Sequence, residues 1–153
     1  MKSKQAKIRI TKEFNFEMAH ALWNYDGACK NLHGHSYKLF VTLIGEPIDD
    51  VNNTKNGMVV DFSELKHLIH KKIISRLDHA VLLPQQAVLS NNIISNQMLG
   101  KVVVVDYQPT CENMLIEFAK IIQPELNSNT KLFSLKLYET VTSFAEWYAS
   151  DNV

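Results

Sequence analysis

The chain has 153 residues, 46% of them hydrophobic and 21% charged, which is enough apolar material for one packed core and argues against disorder. Sixteen Lys and Arg offset sixteen Asp and Glu, so the basic excess expected of a nucleic-acid or anionic-membrane partner is absent. Two cysteines, Cys29 and Cys111, are too few for a disulfide framework and suit a reducing compartment.

The first residues, MKSKQAKIRITKEF, are charged but precede no apolar h-region, and no apolar run approaches the length of a membrane helix. The expectation is one cytoplasmic domain over residues 1–153. Strand one is legible by alternation: Ile8, Ile10, Phe14, Phe16 and Met18 share one parity, against Arg9, Thr11, Glu13, Asn15 and Glu17. A small and polar stretch from about Asn24 to Gly34 leads into a second strand from about His35 to Gly45. There Tyr37, Leu39, Val41 and Leu43 oppose Phe40, Thr42 and Ile44, which predicts burial on both faces.

Residues 46–57 are turn-formers closing on Asn56-Gly57. Asp61 and Glu64 form an acidic variant of the capping box, starting a helix whose Phe62, Leu65, Leu68, Ile69, Ile73 and Leu77 make one stripe. That helix should end near Leu77-Asp78. Pro84, Asn91, Asn92 and Asn96 mark residues 81–100 as a surface excursion with at most a short strand or helical turn. Lys101–Tyr107 reads as a strand, and Pro109-Thr110 opens a second helix striped by Met114, Leu115, Phe118, Ile121 and Ile122. Phe133, Leu135 and Leu137 alternate in a late strand, and Phe144–Tyr148 makes one more. With the middle strand set aside, the order ββααββ is an α+β layout: a four-stranded antiparallel sheet with two helices on one face.

The strongest chemical feature is His33-Gly34-His35. Residues i and i+2 of an extended chain point the same way, and Gly34 allows a close turn beneath them. His20 shares the parity of Phe16 and Met18, so three imidazoles can converge at a partly apolar site. Three neutral imidazoles with a fourth position left open are a ligand set for catalytic zinc. Cys29, four residues before His33, is open to three readings: a buried small side chain, a fourth ligand closing a structural zinc site, or a catalytic thiolate. Asp78-His79 lies at the helix end, where it is either a solvated terminus or a pair handling protons; neighbours of this kind rarely bond each other as a triad does. Glu139 continues the parity of Leu135 and Leu137, so a carboxylate ends a buried strand face and needs a partner, such as the paired N–H groups of a guanidine-like ligand edge. His67 and His70, three apart, read as a solvated helix face.

These pieces fall in a familiar order. The stretches F-x-M-A-H at 16–20, C-K-N-L-H-G-H-S-Y at 29–37, G-M-V-V-D-F-S-E-L-K at 57–66, L-D-H at 77–79, P-T-C-E-N at 109–113 and L-Y-E-T at 137–140 together resemble the 6-pyruvoyl-tetrahydropterin synthase/6-carboxytetrahydropterin synthase family. The resemblance implies a T-fold (tunnelling fold) subunit in a homohexamer built as a dimer of trimers, with active sites at subunit interfaces. It implies Zn2+ on His20, His33 and His35, with Cys29, Asp78 and His79 catalytic. Glu139 would anchor the pterin, with Thr110 and Glu112 helping to frame it.

The implied reaction is that of a lyase on 7,8-dihydroneopterin triphosphate. The compact C-x3-H-x-H block looks more like the queuosine branch, which releases acetaldehyde and triphosphate and yields 6-carboxytetrahydropterin. The biopterin branch, which gives 6-pyruvoyl-tetrahydropterin, is the alternative, and a non-catalytic domain with a closed Cys29/His20/His33/His35 zinc site is the non-enzyme reading. Residues 80–83 and the long 84–106 segment depart from the family pattern.

Overall fold

Two long strands carry the fold in the computed structural model, which describes residues 6–91 and 97–153. The first five residues and the asparagines at 92 and 96 therefore lie outside the described residues. Strands β1 (Ile8–His20) and β2 (His33–Gly45) pair antiparallel throughout, from Ile8 opposite Gly45 to His20 opposite His33. The alternation seen in the sequence becomes one buried face, made by Phe14, Phe16, Met18 and His20 together with Tyr37, Leu39, Val41 and Leu43.

That face is covered by two helical units. Helix α1 (Phe62–Ile69) runs through a π-helical stretch (His70–Ile74) into the short α2 (Ser75–Leu77). Asp61 caps α1 by accepting from the Ser63 backbone N–H, whereas Glu64 pairs with Lys55 instead of completing the capping box. Leu65, Ile69, Ile73 and Leu77 of the expected stripe turn inward, Leu68 is partly buried, and Phe62, in the first turn, is exposed. A later helix (Cys111–Ile122; α4 below) is capped by Thr110, whose hydroxyl accepts from Asn113 N at 3.3 Å, and buries Met114, Leu115, Phe118 and Ile122.

The sheet is larger than the sequence suggests. It has six strands in the order β4-β3-β1-β2-β5-β6, where β3 is Ala80–Pro84, β4 Val102–Val105, β5 Thr130–Tyr138 and β6 Phe144–Tyr148. The expected antiparallel four survive as β1, β2, β5 and β6, but β3 and β4 add a parallel pair beside β1. Parallel neighbours need a crossover, and α3 (Gln85–Asn91) lies in the connection from β3 to β4. The apolar run of β3 has no alternation to betray it, because Leu82, Leu83 and Pro84 are all buried.

Two further expectations are corrected. Phe40, Thr42 and Ile44 are only half-buried, because the two helical units cover one face of β2 and leave the other open. Phe133 does not share the inward face of Leu135: Thr42 pairs with Ser134 while Leu43 pairs with Leu132, so Phe133 is the extra residue of a β-bulge. It turns outward beneath the Arg9 guanidinium, 3.8 Å from the ring centroid, and Leu132 takes the core position. Accordingly, Leu135→Ala should cost about 2–5 kcal/mol in urea unfolding, and Phe133→Ala only about 1 kcal/mol; equal losses would contradict the bulge.

Candidate functional site

The antiparallel register brings the three histidines together. His20 ends β1 directly opposite His33, and His35 stands two residues along β2 on the same face. The Nε2 atoms of His20 and His33 are 3.1 Å apart, and Glu139 Oε1 lies 3.3 Å from His20 Nε2 and 3.0 Å from His35 Nε2. Among the described residues, the ligand atoms of His20, His33, His35 and Glu139 all lie within 4.8 Å of one another.

Each ring is oriented from behind. His20 Nδ1–H donates to the Pro109 carbonyl at 2.8 Å, and His33 Nδ1–H donates to the Asn31 carbonyl at 2.7 Å. A carbonyl only accepts, so both Nδ1 atoms carry hydrogen and both Nε2 atoms present lone pairs to each other. His35 Nε2 is buried with no hydrogen-bond partner, its contact with Glu139 being out of line for one. Burial above all pushes the His35 pKa below its usual value, which favours the neutral, ligating imidazole. Four electron-rich atoms facing inward need positive charge between them. With His20 protonated, its Nε2–H donates to Glu139, and that bond, then the imidazolium charges, hold Glu139 below the usual carboxylate range against the opposing effect of burial.

A metal ion answers the same need. Tetrahedral zinc with bonds of about 2.0–2.1 Å sets its ligand atoms about 3.4 Å apart, and the observed 3.1 Å is close to that. The donor set and the carbonyls oriented behind it therefore fit a divalent ion. Tyr37 completes the surroundings: it is buried, stacks on Phe16 at 5.1 Å, and its hydroxyl is 3.4 Å from His20 Nδ1. Burial drives its pKa up, so it stays a neutral phenol. Asn31, Pro109 and Tyr37 were not singled out as site residues from the sequence. The first two act through backbone carbonyls, which no residue type announces, although all three lie within the family-like motifs at 29–37 and 109–113.

The remaining sequence candidates are placed as follows. Cys29 sits half-exposed in the turn Ala28–Lys30 and is not a member of the four-residue group, so the described residues do not make a closed site of one thiolate and three imidazoles. Gly34 was expected to permit a close turn. It instead pairs with Ala19 in a regular ladder, where an added Cβ would meet nothing nearer than 3.6 Å. Thr110 caps α4 next to the Pro109 carbonyl that holds His20, and Glu112 is exposed in the first turn. Cys111 is buried, donates to the Leu137 carbonyl, and has its pKa pushed up to about 12 by burial. His70 packs against Phe14, and neither it nor His67 joins the imidazole group.

Asp78 and His79 contact each other, contrary to the expectation for sequence neighbours: His79 Nδ1 is 3.1 Å from Asp78 Oδ1. The cause is a left-handed backbone at His79, with φ 59°, which folds the ring back onto Asp78. Asp78 also accepts from the Glu17 backbone N–H at 2.9 Å, and that bond chiefly holds its pKa down. The His79 side chain is 78% exposed. It shares a shallow cleft of about 350 Å³ with Glu17, Ala19, Gly34 and Ser36, and Met18 and His35 line the same cleft. Among the described residues no hydrogen bond or ion pair joins Asp78 or His79 to the imidazole group, although His79 and His35 line one cleft.

Comparison with known proteins bears on the whole arrangement. A family model described as 6-pyruvoyl tetrahydropterin synthase matches residues 9–150. A Haemophilus influenzae protein named 6-carboxy-5,6,7,8-tetrahydropterin synthase is 38% identical over 144 residues, covering 92% of this chain and 98% of its own. A Rickettsia typhi protein of the same name is 34% identical, covering 91% and 99%. Among solved structures, the 6-pyruvoyl tetrahydropterin synthases of Plasmodium falciparum and Caenorhabditis elegans superpose with TM-scores of 0.68 and 0.66, at 22% and 21% identity over 94% and 96% of this chain and 99% of each of theirs. That likeness shows the T-fold, an α+β subunit with helices on one face of a sheet. The chain belongs to the 6-pyruvoyl tetrahydropterin synthase family.

Proposed function

We propose that the protein is a zinc-dependent lyase converting 7,8-dihydroneopterin triphosphate to 6-carboxy-5,6,7,8-tetrahydropterin, with release of acetaldehyde and triphosphate, in a cytoplasmic queuosine (7-deazapurine) route. The observation that carries this reading is the convergence of three imidazole nitrogens and one carboxylate oxygen, one nitrogen being buried without a partner. The names of the bacterial relatives support the 6-carboxy product.

His20, His33 and His35 would hold the ion through Nε2, each of the first two oriented by its carbonyl partner. Zinc bound there supplies Lewis acidity to oxygens of the pterin side chain. Cys29 as thiolate takes a proton from that side chain. Asp78 holds the Nδ1–H tautomer of His79, leaving Nε2 to relay a proton. The exposure of the His79 side chain supports its serving a neighbouring subunit of a homohexamer. Glu139 accepts from the guanidine-like edge of the pterin, with Thr110 and Glu112 beside it. Its carboxylate is ionised and half-buried next to the imidazoles, which suits an anchor bringing the ring to the ion.

Three outcomes follow. Incubation with dihydroneopterin triphosphate should give 6-carboxytetrahydropterin by mass; 6-pyruvoyl-tetrahydropterin would move the protein to the biopterin-type reaction. Cys29→Ala should keep stoichiometric zinc and lose turnover by about 10²-fold or more; loss of zinc with unfolding would instead indicate the structural Cys-His site. Glu139→Gln should raise KM by about tenfold or more with zinc retained, whereas loss of zinc would make Glu139 a metal ligand rather than a substrate anchor.

A further inference from the structure

The peptide joining Asp78 to His79 is held from both ends. Its N–H, on His79, donates to the Glu17 carbonyl at 2.6 Å. Its oxygen, on Asp78, accepts from Lys101 Nζ, also at 2.6 Å. The same ammonium reaches the Ser75 carbonyl at 2.8 Å, so Lys101 caps the end of α2 while gripping the residue beyond it. Carbonyls at a helix C-terminus carry the negative end of the helix dipole and attract an ammonium.

Lys101 is itself anchored where β3 and β4 begin to pair, because its carbonyl accepts from Val81 N at 2.9 Å and Val102 then pairs with Val81. The lysine stem therefore starts from a fixed point of the sheet. The result is a rigid link from the β4 edge to a backbone that needs holding, since His79 sits at φ 59°, where a side chain bearing a Cβ is strained. Rotation of this peptide would move His79 out of the left-handed region and carry its ring away from Asp78 Oδ1.

We infer that Lys101 is a positioning residue: by clamping the Asp78 carbonyl it keeps His79 left-handed and its ring against Asp78, in the tautomer with Nδ1 protonated and Nε2 available for proton exchange. The catalytic consequence rests on the reading of His79 as a proton relay; the conformational one does not. A lysine that merely finished a helix would affect stability and leave turnover per folded molecule alone. The clamp instead acts on the rate of the step His79 serves, without touching substrate.

The test compares Lys101→Met and Lys101→Arg with the wild-type, zinc-loaded full chain. With dihydroneopterin triphosphate as substrate, Lys101→Met should lower kcat by about tenfold or more and leave KM within about twofold, with zinc content unchanged. Lys101→Arg, which keeps a cationic donor, should recover kcat to within about threefold of wild type. In amide hydrogen exchange, the His79 N–H should exchange about tenfold or more faster in Lys101→Met, while amides in the centre of β1 and β2 keep their protection. Unchanged His79 exchange in Lys101→Met overturns the clamp, and wild-type kcat alongside faster His79 exchange overturns its catalytic consequence. Should Lys101→Met not fold, the arginine variant still decides: the clamp requires near-wild-type exchange at His79, and faster exchange there in a folded arginine variant overturns it. A wild-type protein without turnover refutes the proposed reaction alone, since the exchange measurement still judges the clamp.

Discussion

The candidate metal site depends on a lone-pair conflict between neutral imidazoles. The carbonyls of Pro109 and Asn31 claim the Nδ1 hydrogens of His20 and His33, which forces their Nε2 lone pairs toward each other 3.1 Å apart. His35 Nε2 and Glu139 Oε1 close the remaining sides. No arrangement of neutral groups relieves this. A metal ion among the four atoms, or a proton on one imidazole, relieves it, and strand register, a helix N-terminus and a turn keep the atoms in place.

The fold is arranged to make that convergence rigid. β1 and β2 run in register for thirteen residues each, so His20 faces His33 because Phe16 faces Tyr37, four pairs earlier in the same ladder. Tyr37 stacks on Phe16 and reaches His20 Nδ1 with its hydroxyl, joining the core to the site. The Thr110 cap starts α4 immediately after Pro109, so packing the Met114, Leu115 and Phe118 stripe also sets the carbonyl behind His20. Core and candidate metal site are thus built on the same strands, whereas Asp78 and His79 are held by Glu17 and Lys101.

Much of this was legible in the residues. Alternation in 8–18 and 37–43 identified the two central strands and their buried faces, and capping with helical stripes placed the helices starting at Asp61 and Thr110. Parity placed His20 with the H-x-H pair. The failures share a physical cause: periodicity describes regular elements, and the misread features are irregular or non-local. A bulge at Phe133 shifts the phase of β5 without altering its composition. The run Ala80–Pro84 is buried without alternation and so hides a parallel strand. A left-handed histidine bonds its own neighbour, which spacing rules do not allow for. The carbonyls that orient the imidazoles belong to the backbone and leave no trace in residue type.

The most direct test of the cation-demanding cluster is anomalous diffraction at the zinc edge from crystals of the zinc-loaded protein. A single strong peak about 2.0–2.1 Å from Nε2 of His20, His33 and His35 is expected, with a coordination position not taken by Cys29. No peak among those three nitrogens, or a peak whose fourth ligand is the Cys29 sulfur, would contradict the account of the site.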